Sequence, residues 1–397
     1  MSDGAPGVLI LGGQENTLSL VRNLARDGVG VCVSASGKCV ALTSRYLERA
    51  YEVTGGSTRD YWRELLITKS TDELLGRVIL TCNDAAIEFV AENSDALNDF
   101  YIMENMPAGV RRALLRKDES IAIAKSAGVG VPNYRKIKDV SDAQFVIREW
   151  GFPIIVKPVH SHRFQAVFDK KLTLCRTRDE LRKTCETAFE HGIEIFLCED
   201  IPGPDTALRS YYTYLDERGE PLFHFTKRVI RRYPTHYGAG AYHITEWLPE
   251  VAREGLKFLQ AAGIRGLGNV EFKLDQRDGQ LKFIESNARF TAAQEQIVRC
   301  GYDLGRFVYG QLAGSPIELP KTYKQNVRLW YPLRDFRAYR QLSDSGQLTF
   351  WQWLRSVSHR HVFPFFDRRD LRPFLAKVRR DLPSLRIPRW LRKNYAP

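Results

Sequence analysis

Two segments of this 397-residue chain carry the residue types best suited to chemistry. One is GLGNVEFKLD, Gly266 to Asp275. The other is LKFIESNARF, Leu281 to Phe290. Each alternates like a β-strand and carries a carboxylate. Glu271 stands in the first. Glu285 and Asn287 stand two apart in the second and therefore share a strand face. Asp278-Gly279 marks the turn between them. Pairing the strands would gather three oxygen donors at one point. Hard oxygen donors suit Mg²⁺ or Mn²⁺, ions that complete their shells with water and phosphate oxygens. The pattern points to a nucleotide-phosphate site built without a P-loop.

Other candidates are weaker taken singly. Lys157 closes the apolar strand IIVKP, where a lysine can reach a phosphate or snorkel at a sheet edge. Lys117, in LLRKDES, opens a helix and could equally be a solvated surface lysine. Phe196 to Gly203 (FLCEDIPG) is a strand running into a tight linker. Backbone groups at such a hinge could pair with a base, and Glu199 or Asp205 could hold ribose hydroxyls. After Lys157 the chain reads Val159-His160-Ser161-His162-Arg163-Phe164-Gln165. This loop has no glycine, so a glycine nest for phosphate is in doubt. His160, His162, Arg163 and the hydroxyl of Ser161 could donate instead. His160 and His162 have a zinc-compatible spacing, but no cysteine or acid completes four ligands.

The elements that must position these groups alternate. Gly7 to Gly12 and Val29 to Ser34 are expected strands with a helix near Glu15 to Arg26 between them. Arg77 to Thr81 leads to a helix from Asp84. Strand and helix in alternation imply a parallel α/β unit. Gly12-Gly13 ends the first strand, but GxGxxG is absent and a dinucleotide site is not expected. Helical stretches fill Ala108 to Ala127. A second unit starts near Val131, with a helix at Asp142 to Trp150, strand Pro153 to Pro158, helix Asp179 to His191 and strand Glu194 to Glu199. Long strands follow near Ala207 to Tyr214 and Leu222 to Arg231. Helix Pro249 to Ala262 leads into the strand pair, and helix Ala292 to Leu312 closes the body.

Composition sets bounds. Hydrophobic residues make up 44% and charged residues 27% of the chain, as in ordinary globular proteins. No apolar run reaches the ~18 residues that span a bilayer. The start, MSDGAPGVLILGG, lacks a basic n-region, so no signal peptide is expected. Seven cysteines without CxxC spacing suggest a reducing, cytoplasmic setting. The net charge of +12 is localised: residues 318–397 hold 18 Lys or Arg against 6 Asp or Glu, and the rest balances at 41 against 41. A nucleic-acid binder would be expected to show basicity in the body as well, so no nucleic-acid partner is expected.

The order of these parts carries more than any one of them. A lysine, a lysine after an apolar strand, a Glu-x-Ile-Pro-Gly hinge, a strand Glu and then Glu285-x-Asn287-x-Arg289 together resemble the ATP-grasp superfamily of carboxylate–amine ligases. The resemblance covers residues 7–315, and the Glu-x-Asn-x-Arg end is its most specific part. It implies an α/β (α+β) architecture: a Rossmann-like domain at 1–115, then an ATP-grasp domain at 116–317 with a lid at about 131–200 and a C-terminal subdomain at about 201–317. Residues 318–397 form a basic, aromatic-rich helical extension. It further implies ATP and Mg²⁺, small-molecule carboxylate and amine substrates, and a homodimer. By the same resemblance Lys117 and Lys157 hold phosphates. Glu199, Asp200 and Ile201 frame adenine, and Asp205 holds ribose. Glu271, Glu285 and Asn287 hold the metal, and Arg289 steadies the transferred phosphoryl group. The glycine-free loop followed by FDKKLTL is similar to the D-aspartate ligase branch.

In that layout the basic run Lys227 to Thr235 lies over the site, and Arg228 and Arg231 are expected to bind the substrate carboxylate. An enzyme of the biotin-carboxylase or carbamoyl-phosphate type is an alternative, as is a nucleotide-binding scaffold without catalysis. Aromatics beside arginines in residues 330–397 suit a membrane interface, an anionic acceptor or a packed helical appendage.

Overall fold

The computed structural model describes residues 4–69, 71–159, 164 and 167–381. His162, Arg163 and the other expected loop donors lie outside the described residues, as does the aromatic segment around Trp390.

The first unit is the expected parallel sheet. β1 (Val8–Leu11), α1 (Glu15–Arg26), β2 (Val31–Ser36), β3 (Arg49–Val53), α2 (Thr58–Arg63), β4 (Val78–Thr81), α3 (Asp84–Glu92) and α4 (Ser94–Asn98) follow in order. The sheet runs β3-β2-β1-β4, all parallel. β1 and β4 are buried along their whole length, which is why both are short uninterrupted apolar runs. Gly12 and Gly13 have positive φ, and a Cβ on Gly12 would collide with the Asn83 side chain. These glycines let the start of α3 approach β1.

Arg116, in an extended conformation, separates the expected helical stretches into α5 (Ala108–Leu115) and α6 (Lys117–Ser126), so Lys117 opens a helix as its context predicts. The second unit holds β5 (Tyr134–Lys136), α7 (Asp142–Trp150), β6 (Ile154–Pro158), β7 (Thr173–Cys175), α8 (Arg178–Glu190) and β8 (Ile195–Glu199). Its antiparallel sheet runs β5-β8-β6-β7 over its own small core.

The third unit is one large sheet. It is built from β9 (Leu208–Leu215), β10 (Phe225–Tyr233), β11 (Ala239–Thr245), β12 (Gly266–Leu274) and β13 (Leu281–Asn287), with α9 (Pro249–Ala261) against it. α10 (Gln294–Arg299) and α11 (Leu304–Leu312) replace the single helix expected at 292–312. One sheet face buries Tyr211, Val270, Phe272 and Phe283 with α6 and α9. The other packs Tyr212, Tyr214, Phe225 and Leu267 against the first unit and α11.

The basic extension is expected as helical. It is mostly helical, with α12 (Pro332–Asp344), α13 (Phe350–Val357) and α14 (Arg372–Asp381), but it is also part of the sheet. β14 (Arg328–Trp330) pairs with β11, and β15 (His361–Val362) pairs with β14. Asp335 on α12 is fully buried. It accepts two bonds from Arg231 on β10, at 2.7 and 2.9 Å, and one each from the indoles of Trp330 and Trp353 at 3.0 Å. Removing its carboxylate strands a buried guanidinium and two indole donors. Asp335→Ala is therefore expected to cost roughly 3–5 kcal/mol in urea-unfolding stability. A loss under about 1 kcal/mol would show that the ion pair is not holding the extension to the sheet.

Candidate active site

Strand register assembles the site. Glu271 pairs directly with Glu285, and Asn269 with Asn287. Phe272, however, pairs with Phe283, so Ile284 is an extra residue in β13. Simple alternation would put Leu281, Phe283, Glu285 and Asn287 on one face. Leu281 and Phe283 are in the core with Val270 and Phe272. The bulge at Ile284 turns Glu285 and Asn287 to the opposite face, where Asn269 and Glu271 already point. Without it, both polar groups would point into an apolar core.

The result is two carboxylates opposed across adjacent strands, with β-carbons ~5 Å apart. Burial and the neighbouring Glu285 raise the Glu271 pKa above its ordinary 4.5, while Lys227, Arg232 and Arg289 oppose that rise. The amide of Asn287 donates to Asn269 Oδ1 at 3.0 Å, which leaves the Asn287 oxygen for a cation. Two carboxylates and one amide oxygen fit a hard divalent ion, and such an ion would relieve the carboxylate repulsion. Among the described residues no cluster of three His, Cys, Asp or Glu side chains could hold a metal.

A cleft of about 620 Å³ opens beside this pair. Lys117, Lys171, Glu285, Asn287, Arg289 and Asp84 line it. Lys117 starts α6, and Lys157 ends β6 with only 8% of its surface exposed. Burial lowers the Lys117 pKa; Lys157 and Lys171 push it the same way, and Glu285 opposes them. Three lysines sharing one field, offset only in part by acids, call for a polyanion. Lys171 lines the cleft as well, although its sequence context does not single it out. It stands in FDKKLTL among other charges.

Arg289 is held from across the cleft. Its Nε donates to Asp84 Oδ1 at 2.7 Å, and Asp84 lies in the first turn of α3. Arg289 pulls the Asp84 carboxyl below the usual range even though burial opposes this.

The hinge expected near adenine does follow β8. Glu199 pairs with Arg277 and also accepts the Asn133 amide at 3.1 Å. The Ile201 carbonyl accepts Lys273 Nζ at 2.6 Å. Asp205 is buried and accepts the His236 amide at 3.1 Å, and burial raises its pKa. The structure thus keeps Glu199 and Asp205 beside the hinge but gives each a protein partner.

Arg228 and Arg231 are corrections. Arg228 donates to Glu246 at 2.8 Å. Arg231 is turned to the opposite face, bound to Asp335 and stacked 5.0 Å from the Tyr242 ring centroid. A bulge between Val229 and Arg231 reverses the phase of β10. The basic side chains that act on Glu271 are Lys227 and Arg232. Lys227 is 3% exposed, 3.4 Å from His243 Nδ1, and has no ion-pair partner among the described residues. His243 is pushed well below its ordinary value by burial, with Lys227 and Arg334 adding to the effect. Arg334, on α12, lies 4.4 Å from the Tyr331 ring centroid and donates to the Gly240 carbonyl.

The raised Glu271 pKa has a sign in stability. Native Glu271 holds its proton above the pH at which the unfolded chain releases it. Stability is therefore lost as pH rises from about 4.5 through the folded value. In metal-free buffer, Glu271→Gln is expected to melt higher than wild type at pH 8, with the gap closing toward pH 4.5. Equal melting temperatures across that range would remove the repulsion between Glu271 and Glu285 as a factor.

Comparison with known proteins places this geometry. A family model described as the carbamoyl-phosphate synthase L chain ATP-binding domain matches residues 245–304, the stretch holding β12, β13 and Arg289. The N-terminal section of the carbamoyl phosphate synthase large chain of Methanopyrus kandleri is 23% identical over 198 residues. That alignment covers 48% of this chain, and the chain spans about a third (34%) of the length of the curated relative it matches. Among solved structures, the biotin carboxylase domain of Hydrogenobacter thermophilus 2-oxoglutarate carboxylase superposes with a TM-score of 0.63 at 17% identity, covering 82% of this chain and 74% of that one. That structure is a dimer in complex with MgADP and bicarbonate. The L-amino acid ligase of Bacillus licheniformis superposes with a TM-score of 0.58 at 19% identity, covering 79% and 76%. The parallel first sheet, the small antiparallel second sheet and the large sheet carrying opposed glutamates are one architecture: the chain has the ATP-grasp fold.

Proposed function

We propose that this chain is an ATP-dependent ligase that activates a carboxylate as an acyl phosphate and couples it to an amine. One observation carries the reading. Glu285, opposed by Glu271 on the neighbouring strand, and Asn287 line the same cleft as Lys117, Lys171 and Arg289, so a cation and a polyanion would meet there. Lys117, Lys157 and Lys171 hold the phosphates. Glu271, Glu285 and Asn287 hold Mg²⁺ or Mn²⁺, which would offset phosphate charge. Backbone groups of Asp200 and Ile201 take adenine, with Glu199 and Asp205 toward the ribose.

In the first step a carboxylate oxygen attacks the γ-phosphorus, the bond to the bridging oxygen breaks and ADP leaves. Both reactants are anionic, so Arg289, oriented by Asp84, steadies the phosphoryl oxygens as the bond order shifts. In the second step an amine nitrogen attacks the acyl carbon. Phosphate leaves with the bonding electrons and takes the amine proton. No protein nucleophile is needed. The carboxylate-binding role expected of Arg231 passes to Lys227 and Arg232, because Arg231 is consumed by Asp335 on the far face.

The narrower proposal is an amino-acid substrate of the D-aspartate ligase kind, coupled to a cell-envelope or metabolite acceptor, supported by the glycine-free loop after Lys157. Use of ATP suits a cytoplasmic setting, and a homodimer is proposed on the same resemblance. A second reading has its own support. The matched family model and the Hydrogenobacter thermophilus structure belong to enzymes whose descriptions name carbamoyl phosphate and bicarbonate. On that reading bicarbonate is the activated carboxylate.

ADP release across a panel of L- and D-amino acids, amines and bicarbonate separates these. Release that needs both an amine and an organic acid is expected. Release with bicarbonate alone would favour the second reading, and ATP binding with no release by any pair would sink both. In the active pair, Lys157→Met is expected to lower kcat/KM by about 100-fold or more, the scale of one lost charge-assisted contact in the transition state. Arg232→Met is expected to raise the carboxylate KM roughly tenfold. Arg231→Met should instead lower stability and leave that KM within about twofold.

A further inference from the structure

We propose that the outer face of the C-terminal extension docks on an anionic lipid surface. Nine of the thirteen large exposed apolar side chains among the described residues lie between Phe336 and Val378. The densest group is on α12 and α13. Phe350 is 47%, Trp351 75% and Leu354 38% exposed. Phe350 touches the rings of Trp351, Trp353 and Tyr339 at 5.5–6.2 Å, so the patch is one aromatic surface.

Charge decides what this surface meets. The extension has acids, but three of them face inward. Asp335 is bound by Arg231, Asp370 by Arg22 at 3.0 Å, and Asp367 by Arg26 at 2.6 Å. All three partners belong to the body. The extension's own Arg340, Arg355 and Arg360 are exposed and have no acidic partner among the described residues. Of the other three acids, Asp344 at the end of α12 and Glu318 are exposed, and Asp381 pairs with Lys377. Docking thus sorts part of the charge: three of the six carboxylates are spent inside, and the outer face keeps its aromatics and an excess of guanidinium groups.

A second copy seated symmetrically on this face would set the same arginines against each other. Anionic headgroups complement them, while the rings settle at headgroup depth. Among the described residues no helix is long and apolar enough to cross a membrane, so the contact is peripheral. The surface lies outside the cleft, and the proposal does not rest on the ligase reading.

Flotation of the full chain with phosphatidylcholine vesicles, with and without phosphatidylglycerol, tests it. Binding only to the anionic vesicles, weakened by added salt, is expected. Trp351→Ala and Arg355→Glu should each lower the vesicle partition coefficient about fivefold or more, which for the arginine is the factor expected of one surface cation. Both side chains are exposed, and unchanged thermal melts would confirm that the variants fold. Equal binding to both vesicle types, no flotation, or variants that float like wild type would overturn the proposal. So would a concentration-dependent dimer, or an RNA or DNA complex, lost in both variants without any flotation.

Discussion

Glu271 and Glu285 face each other across two hydrogen-bonded strands, and the ladder prevents either from withdrawing. Everything around the cleft answers that repulsion. Lys227 and Arg232 reach Glu271 from the sheet, and Arg289 approaches it from the end of β13. Lys117 meets Glu285 from α6. None of these cations closes a direct ion pair with either glutamate at 4.0 Å or less, so the carboxylates stay available to a bound ion. The first unit enters through Asp84, which fixes Arg289 and so ties the parallel sheet to the chemistry of the large one.

The same logic of fixed charge governs the extension, with the opposite outcome. Where the cleft keeps its charges open, the extension closes them. Asp335 and Asp370 are fully paired in dry surroundings, and each joins a segment beyond residue 330 to a distant body element. A buried pair of this kind adds modest net stability but makes separation expensive, because either partner left alone is an unsatisfied charge in the core. The seven cysteines, all buried and free, play no part in either network, and burial pushes Cys82 and Cys300 up to about 12.

Much of the site is legible in local sequence because a strand's period of two is a strong constraint. Glu285 and Asn287 must share a face, Asp278-Gly279 must turn, and Lys157 must end a buried strand. Asn269 could have been found by the same rule, two residues before Glu271. Lys171, Lys227 and Arg232 could not, because each lies in a run of other charges and is singled out only by what faces it across space. Arg231 shows the failure most clearly. In an unbroken strand it would share a face with Lys227.

The sequence alone determined the alternation of strand and helix in the first unit, the strand pair that carries hard oxygen donors, and the concentration of charge and aromatics beyond residue 318. Local patterns decide these, since apolar periodicity, turn residues and donor chemistry act over a few residues. Only the tertiary structure decided which face each group presents. An extra residue in β13 turns Glu285 and Asn287 out of the core, and another in β10 exchanges Arg231 for Arg232. A bulge is stabilised by the pairing of the partner strand and by the packing of both faces, and neither is written in the bulged strand itself.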